Sequence, residues 1–133
     1  MSTPCIIACH TEDGYQTIYC HNDGYPDHML STLKAHYNTF EKAVDLTNLG
    51  DASCIYERMV PSRDSGHSFD HPEKGVCIFY TRDRGEPWSQ NAPGVFPFKN
   101  MFLRQQYYVY IYENNRWALF IDGQEATDLA DCE

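Results

Sequence analysis

Two runs rich in β-prone residues, 5–10 and 15–21, flank Asp13-Gly14. A period of two marks half-buried strands, and Asp-Gly suits a type I′ turn, so the spacing predicts a β-hairpin. In that register His10 faces Thr17. Ile7, Cys9, Ile18 and Cys20 share one face, while Ala8, His10, Thr17, Tyr19 and His21 share the other. Cysteine packs as a small hydrophobe, which makes the first face core. Turn-forming residues dominate Asn22-Asp23-Gly24-Tyr25-Pro26-Asp27. Asp27 is then placed to cap a helix to about Asn38, with Met29, Leu30, Leu33 and Tyr37 on one stripe. Asn38 and Glu41 have capping-box spacing for a second helix carrying Phe40, Val44, Leu46 and Leu49, stopped by Gly50.

Residues 51–59 read as a connector with room for one helical turn, and the polar stretch 60–75 as a long loop. The near-continuous apolar run at 76–81 predicts a central strand. Three prolines and two glycines make 82–97 a loop, and 98–106 suits a short helix. A second hairpin is expected from Tyr107–Tyr112 and Trp117–Asp122 across Asn114-Asn115. It places Tyr108, Tyr110, Tyr112, Trp117, Leu119 and Ile121 on one face and Val109, Ile111, Ala118 and Phe120 on the other. The aliphatic face suits a core better, which leaves the aromatic face for loop cover or for a partner. The order implies an α+β fold: an antiparallel sheet of about five strands with two main helices on one face.

The 133 residues fit one domain, expected over 1–122, with an acidic tail over 123–133 that should fray. Nineteen acidic against ten basic residues give a net charge of −9. Such a field opposes nonspecific nucleic-acid binding and anionic membranes, and it suits solubility or a basic partner. No run of about 18 apolar residues occurs, so no spanning helix is expected. The first ten residues lack a basic n-region and a long apolar run, so a cytosol is expected, with Cys5, Cys9, Cys20, Cys54, Cys77 and Cys132 mostly reduced.

Cys9-His10 and Cys20-His21 look like two halves of a zinc site. His21 lies four positions beyond the residue opposite His10, about 13 Å along the strand, which is too far for one ion. Neither a metal nor another cofactor is expected. His67 and His71 read as exposed loop histidines with Phe69 packing inward. His21, Asp23, Tyr25, Asp27 and His28 crowd a strand-to-helix elbow, where scaffolds often present functional groups. An Asp–His pair there can orient a general base, although Asp23 also suits the turn and Asp27 the helix start. Arg82 and Arg84 share a face if the strand continues, and two guanidiniums can hold a carboxylate or phosphate; pairing with nearby acids is the competing role. Neither a phosphate-binding glycine loop, a dinucleotide fingerprint, a nucleophile elbow nor a His-Glu-x-x-His motif occurs.

The run Tyr19-Cys20-His21-Asn22-Asp23-Gly24-Tyr25-Pro26, with His36-Tyr37, Leu49-Gly50-Asp51, His67-Ser68-Phe69, Gly75-Val76, residues 80–86 and the closing strand around Trp117, resembles a family of small uncharacterised proteins encoded by bacteriophages, prophages and plasmids. Members of that family commonly carry tryptophan where Asn22 stands here. The resemblance implies a bacterial cytoplasm and an accessory role there, and it supplies no catalytic residues. The expected function is a non-enzymatic protein that binds a host protein or complex, such as one of defence or nucleic-acid handling, and modulates or inhibits it. The binding residues would be those of the elbow with Arg82, Arg84, Tyr108, Tyr110 and Tyr112. Two alternatives stay open: a small metal-dependent or His/Asp acid–base enzyme, and a sponge for a small anionic, nucleotide-like signal.

Overall fold

The computed structural model describes residues 2–126. The first hairpin forms from β1 (Cys5–Thr11) and β2 (Gly14–Cys20). Its bend differs from the expected type I′ turn. Neither Glu12 nor Asp13 takes a positive φ, and only Gly14 does, at +126°. His10 therefore faces Tyr15 rather than Thr17. Moving a bend by one residue moves each partner by two, so every side chain keeps its expected face. Cys5, Ile7, Cys9, Ile18 and Cys20 line the core.

Helix α1 (Pro26–His36) starts at the proline, whose fixed φ and missing N–H suit a first helical position. Tyr25 is its N-cap and Asp27 does not cap it. Met29, Leu30, Leu33 and Tyr37 are buried as the periodicity requires. Helix α2 (Phe40–Asn48) is capped by Thr39, whose hydroxyl accepts from the Lys42 amide at 3.2 Å, in place of the expected Asn38–Glu41 box. Its buried face is Ala43, Leu46 and Thr47, and Phe40 stays exposed.

No helical turn follows α2. Residues Ala52–Cys54 form β3, parallel to β2, with α1 and α2 as the crossover that a parallel neighbour needs. The apolar run at 76–81 is not a central strand. It yields only β4 (Ile78–Phe79) at a sheet edge before turning into helix α3 (Tyr80–Arg84). The Asp83 carboxylate reaches back to the Phe79 amide at 2.8 Å, and Gly85 ends the helix at φ +77°. This local capping outcompetes strand propensity. Short elements also interrupt the expected loop and helix beyond: α4 (Trp88–Asn91), β5 (Gly94–Phe96) and a 3-10 turn at Lys99–Met101.

The second hairpin matches its pattern. β6 (Tyr108–Glu113) and β7 (Arg116–Ile121) meet across Asn114 and Asn115, at φ +57° and +64°, and β8 (Gln124–Glu125) follows. Eight strands make one mixed sheet in the order β4-β3-β2-β1-β6-β7-β8, with β5 also on β2. This corrects the expected antiparallel sheet of about five strands, because β1 and β6 pair in parallel. Helices α1 and α2 cover one face, as expected, but they meet the aromatic side of the second hairpin. Ile6, Ala8, Val109, Ile111, Ala118 and Phe120 pack on the other face under Phe102, Phe96 and Leu103.

The polar tips explain the aromatic choice. Tyr110 donates to the Gly24 carbonyl at 2.7 Å, Trp117 to the Tyr37 carbonyl at 2.9 Å, and Tyr37 to the Tyr56 carbonyl at 2.6 Å. Ring surface is buried while each O–H or N–H keeps a partner at a loop or helix end. Among the described residues no helix is long and apolar enough to cross a membrane. Cys5, Cys9, Cys20, Cys54 and Cys77 are free thiols. Of the tail expected to fray from residue 123, Gln124–Glu125 pair with β7 as β8, while Cys132 and the rest of the tail from residue 127 lie outside the described residues.

Candidate functional site

The elbow between β2 and α1 is built on backbone bonds. The His21 and Asn22 amides continue the pairing with β3, at 3.0 Å to the Ala52 carbonyl and 2.9 Å to that of Ser53. Asp23 adopts φ +57°, which a short polar side chain tolerates. The Gly24 amide donates to the Thr3 carbonyl at 2.7 Å, and a Cβ there would lie 2.7 Å from that oxygen and from the Cys5 Cβ. Close approach therefore requires glycine at this position. The loop is held by packing, which presents its side chains on a fixed frame.

Those side chains divide into engaged and unengaged groups. His28 donates from Nε2 to the Ile55 carbonyl at 2.8 Å, and its ring stands edge-on to Tyr56 at 5.6 Å. The His28 ring also lies 6.3 Å from that of Tyr25, centroid to centroid. His21 is exposed, with Nδ1 2.8 Å from the Tyr19 hydroxyl. Tyr25 is 40% exposed, and neither Asp23 nor Asp27 forms an ion pair among the described residues. Burial, then the neighbouring Cys54, push the Tyr56 phenol up to about 12, so it stays neutral. Tyr56 also opens onto a cavity of about 530 Å³ shared with Glu57, Arg58, Glu73, Lys74 and Ile78. The surface formed is a row of rings, Tyr25–His28–Tyr56, bordered by two carboxylates without an ion pair among the described residues.

The remaining expected residues do not join it. Arg82 and Arg84 lie on α3, not on one strand face. Arg82 donates to the Met59 carbonyl at 2.6 Å, the Cys77 carbonyl at 2.8 Å and both Asp83 oxygens at 2.9 and 3.0 Å. Arg84 lies over the Phe69 ring at 4.6 Å and 3.3 Å from Glu86. The pair does not present two guanidiniums to one anion. Tyr110 and Tyr112 are buried in the core and Tyr108 is half-buried beside it, so this face is not a contact surface. His67 anchors the long loop instead of standing exposed: its Nδ1 accepts from the Glu73 amide at 2.9 Å, and Nε2 lies 3.3 Å from Asp83.

One constellation escaped the sequence reading. Glu113, at the end of β6, accepts from the Tyr15 hydroxyl at 2.5 Å and Lys99 at 2.7 Å, with His10 Nδ1 at 3.3 Å. His10 stacks on Tyr15 at 4.2 Å. Burial, then the bond and charge of Glu113, push the Tyr15 phenol up to about 12. Burial opposes the charged form of Glu113, but bonds from Lys99 and Tyr15 outweigh it and hold the carboxyl below its usual range. Three chain segments supply these residues, and even the facing of His10 and Tyr15 was missed, because the expected register set His10 opposite Thr17. Among the described residues no group of three or more His, Cys, Asp or Glu is arranged to hold a metal ion.

No protein-family model matches the chain, and no curated protein or solved structure matches it either. The fold itself defines an α+β protein with a mixed sheet covered on both faces.

Proposed function

We propose that this chain is a non-enzymatic accessory protein of a phage or other mobile element, which binds a host protein or complex through the elbow and modulates or inhibits it. The observation that supports this reading is the pairing of exposed Tyr25 with Asp23 and Asp27, whose carboxylates have no cationic partner among the described residues. Aromatic rings beside unpaired carboxylates attract Arg and Lys side chains through cation–π contact and charge. The net charge of −9 steers a basic partner toward such a surface. An accessory role in a bacterial cell rests on the resemblance of the His21–Pro26 motif and its companions.

An acid–base enzyme at the elbow is the weaker reading, because His28 Nε2 is engaged by a carbonyl and His21 Nδ1 by a tyrosine hydroxyl. The test is affinity capture from a bacterial lysate with the wild type and with the triple variant Asp23→Asn, Tyr25→Ala, Asp27→Asn. Loss of a specifically captured protein, with an unchanged melting temperature, is expected. Equal capture by the triple variant would remove the elbow from the contact.

A further inference from the structure

A second surface, sharing no residue with the elbow, has the form of a receptor for one side chain. Asp45 and Asn48 from α2, with its C-cap Leu49, face Met59, Val60 and Arg82 across a notch of about 420 Å³. Both walls are tied down. Asn48 Oδ1 accepts from Gln16 Nε2 at 2.8 Å, and the Met59 carbonyl accepts from Arg82 at 2.6 Å. Leu49, Met59 and Val60 make the notch apolar, and Val60 is left 69% exposed.

Charge decides what fits. The Arg82 guanidinium is neutralised by bonds to both oxygens of Asp83. Asp45 is exposed and has no ion pair among the described residues, although Lys42 stands three positions before it on the helix. The unbalanced charge at the rim is therefore negative, on a molecule of net charge −9. We propose that this notch receives an arginine or lysine side chain from a basic protein partner. Its methylene stem lies along Leu49, Met59 and Val60, and its cation meets Asp45. Long basic side chains bury their stems on apolar surface while the head keeps a polar partner, which is the combination offered here. The inference rests on the reading of a basic protein partner, but on its own residues.

The experiment titrates n-butylguanidinium chloride into the full chain labelled in amides and methyl groups, followed by NMR. Guanidinium chloride and sodium butyrate serve as comparisons. Saturable shifts are expected at the Leu49, Met59 and Val60 methyls and the Asp45 amide, with n-butylguanidinium binding about tenfold tighter than guanidinium through its added methylenes. Asp45→Asn, an exposed substitution, should weaken it about threefold. The elbow triple variant should bind the probe as the wild type does, which separates failure of the elbow reading from failure of this one. Butyrate moving the same methyls more strongly would reverse the charge preference and overturn the proposal. So would n-butylguanidinium leaving those methyls unmoved, or binding unchanged by Asp45→Asn.

Discussion

Replacing Tyr110 by phenylalanine removes one oxygen atom and tests why the aromatic face of the second hairpin is core. Tyr110 is fully buried, and its hydroxyl donates to the Gly24 carbonyl at 2.7 Å. The ring and its packing survive the change, so no cavity term enters. What is lost is one buried hydrogen bond, and the Gly24 oxygen keeps its desolvation cost. A net bond contributes about 1 kcal/mol, and an orphaned buried acceptor costs about 1–3 kcal/mol. The deficit should therefore be about 2 kcal/mol. For a domain of this size, that lowers the melting temperature by about 6–10 °C. Urea unfolding followed by the fluorescence of buried Trp117 should show a lower midpoint at unchanged slope. Tyr108→Phe, at the half-buried start of β6, should stay within about 0.5 kcal/mol of wild type. A Tyr110→Phe protein as stable as the wild type would refute the reasoning, and loss of partner binding at unchanged stability would return Tyr110 to the contact surface.

Thr39→Ala should cost about 1 kcal/mol by removing the cap on the Lys42 amide, while Asn38→Ala should be near neutral; urea midpoints distinguish the two. Gly24→Ala should destabilise by about 1–3 kcal/mol in the same assay, because the new methyl would crowd the Cys5 side chain and the Thr3 carbonyl. Burial opposes the charged form of Asp83, but bonds from Arg82 and the Phe79 amide outweigh it and hold its carboxyl below the usual range. A depressed folded value means that its contribution is complete above the unfolded value near 4 and is lost as pH falls through the lower folded value. Asp83→Asn should thus be clearly less stable than wild type at pH 7, with the gap narrowing as pH falls below about 4; a gap independent of pH would show that the carboxylate's charge is not what holds α3.

What the sequence makes legible depends on how far apart along the chain the interacting residues lie. Period two fixes which side chains share a face, so the partition of Ile7, Cys9, Ile18 and Cys20 from Ala8, His10 and Tyr19 was readable although the bend moved by a residue. The same holds for the α1 stripe and for the hairpin across Asn114-Asn115, where a local pattern and a local turn agree. Pairing between distant segments leaves no periodic mark. The parallel contact of β1 with β6, the two- and three-residue strands β3, β4 and β5, and the meeting of His10, Tyr15, Lys99 and Glu113 depend on where crossovers bring the chain. Arg82 shows the limit at one residue. Its composition and neighbours suited an anion site, but Asp83 and two carbonyls reach it first. Local sequence therefore determined the elements and their faces. Tertiary structure decided which face became core and which charges stayed free, because a buried polar group must find its partner wherever the fold supplies one.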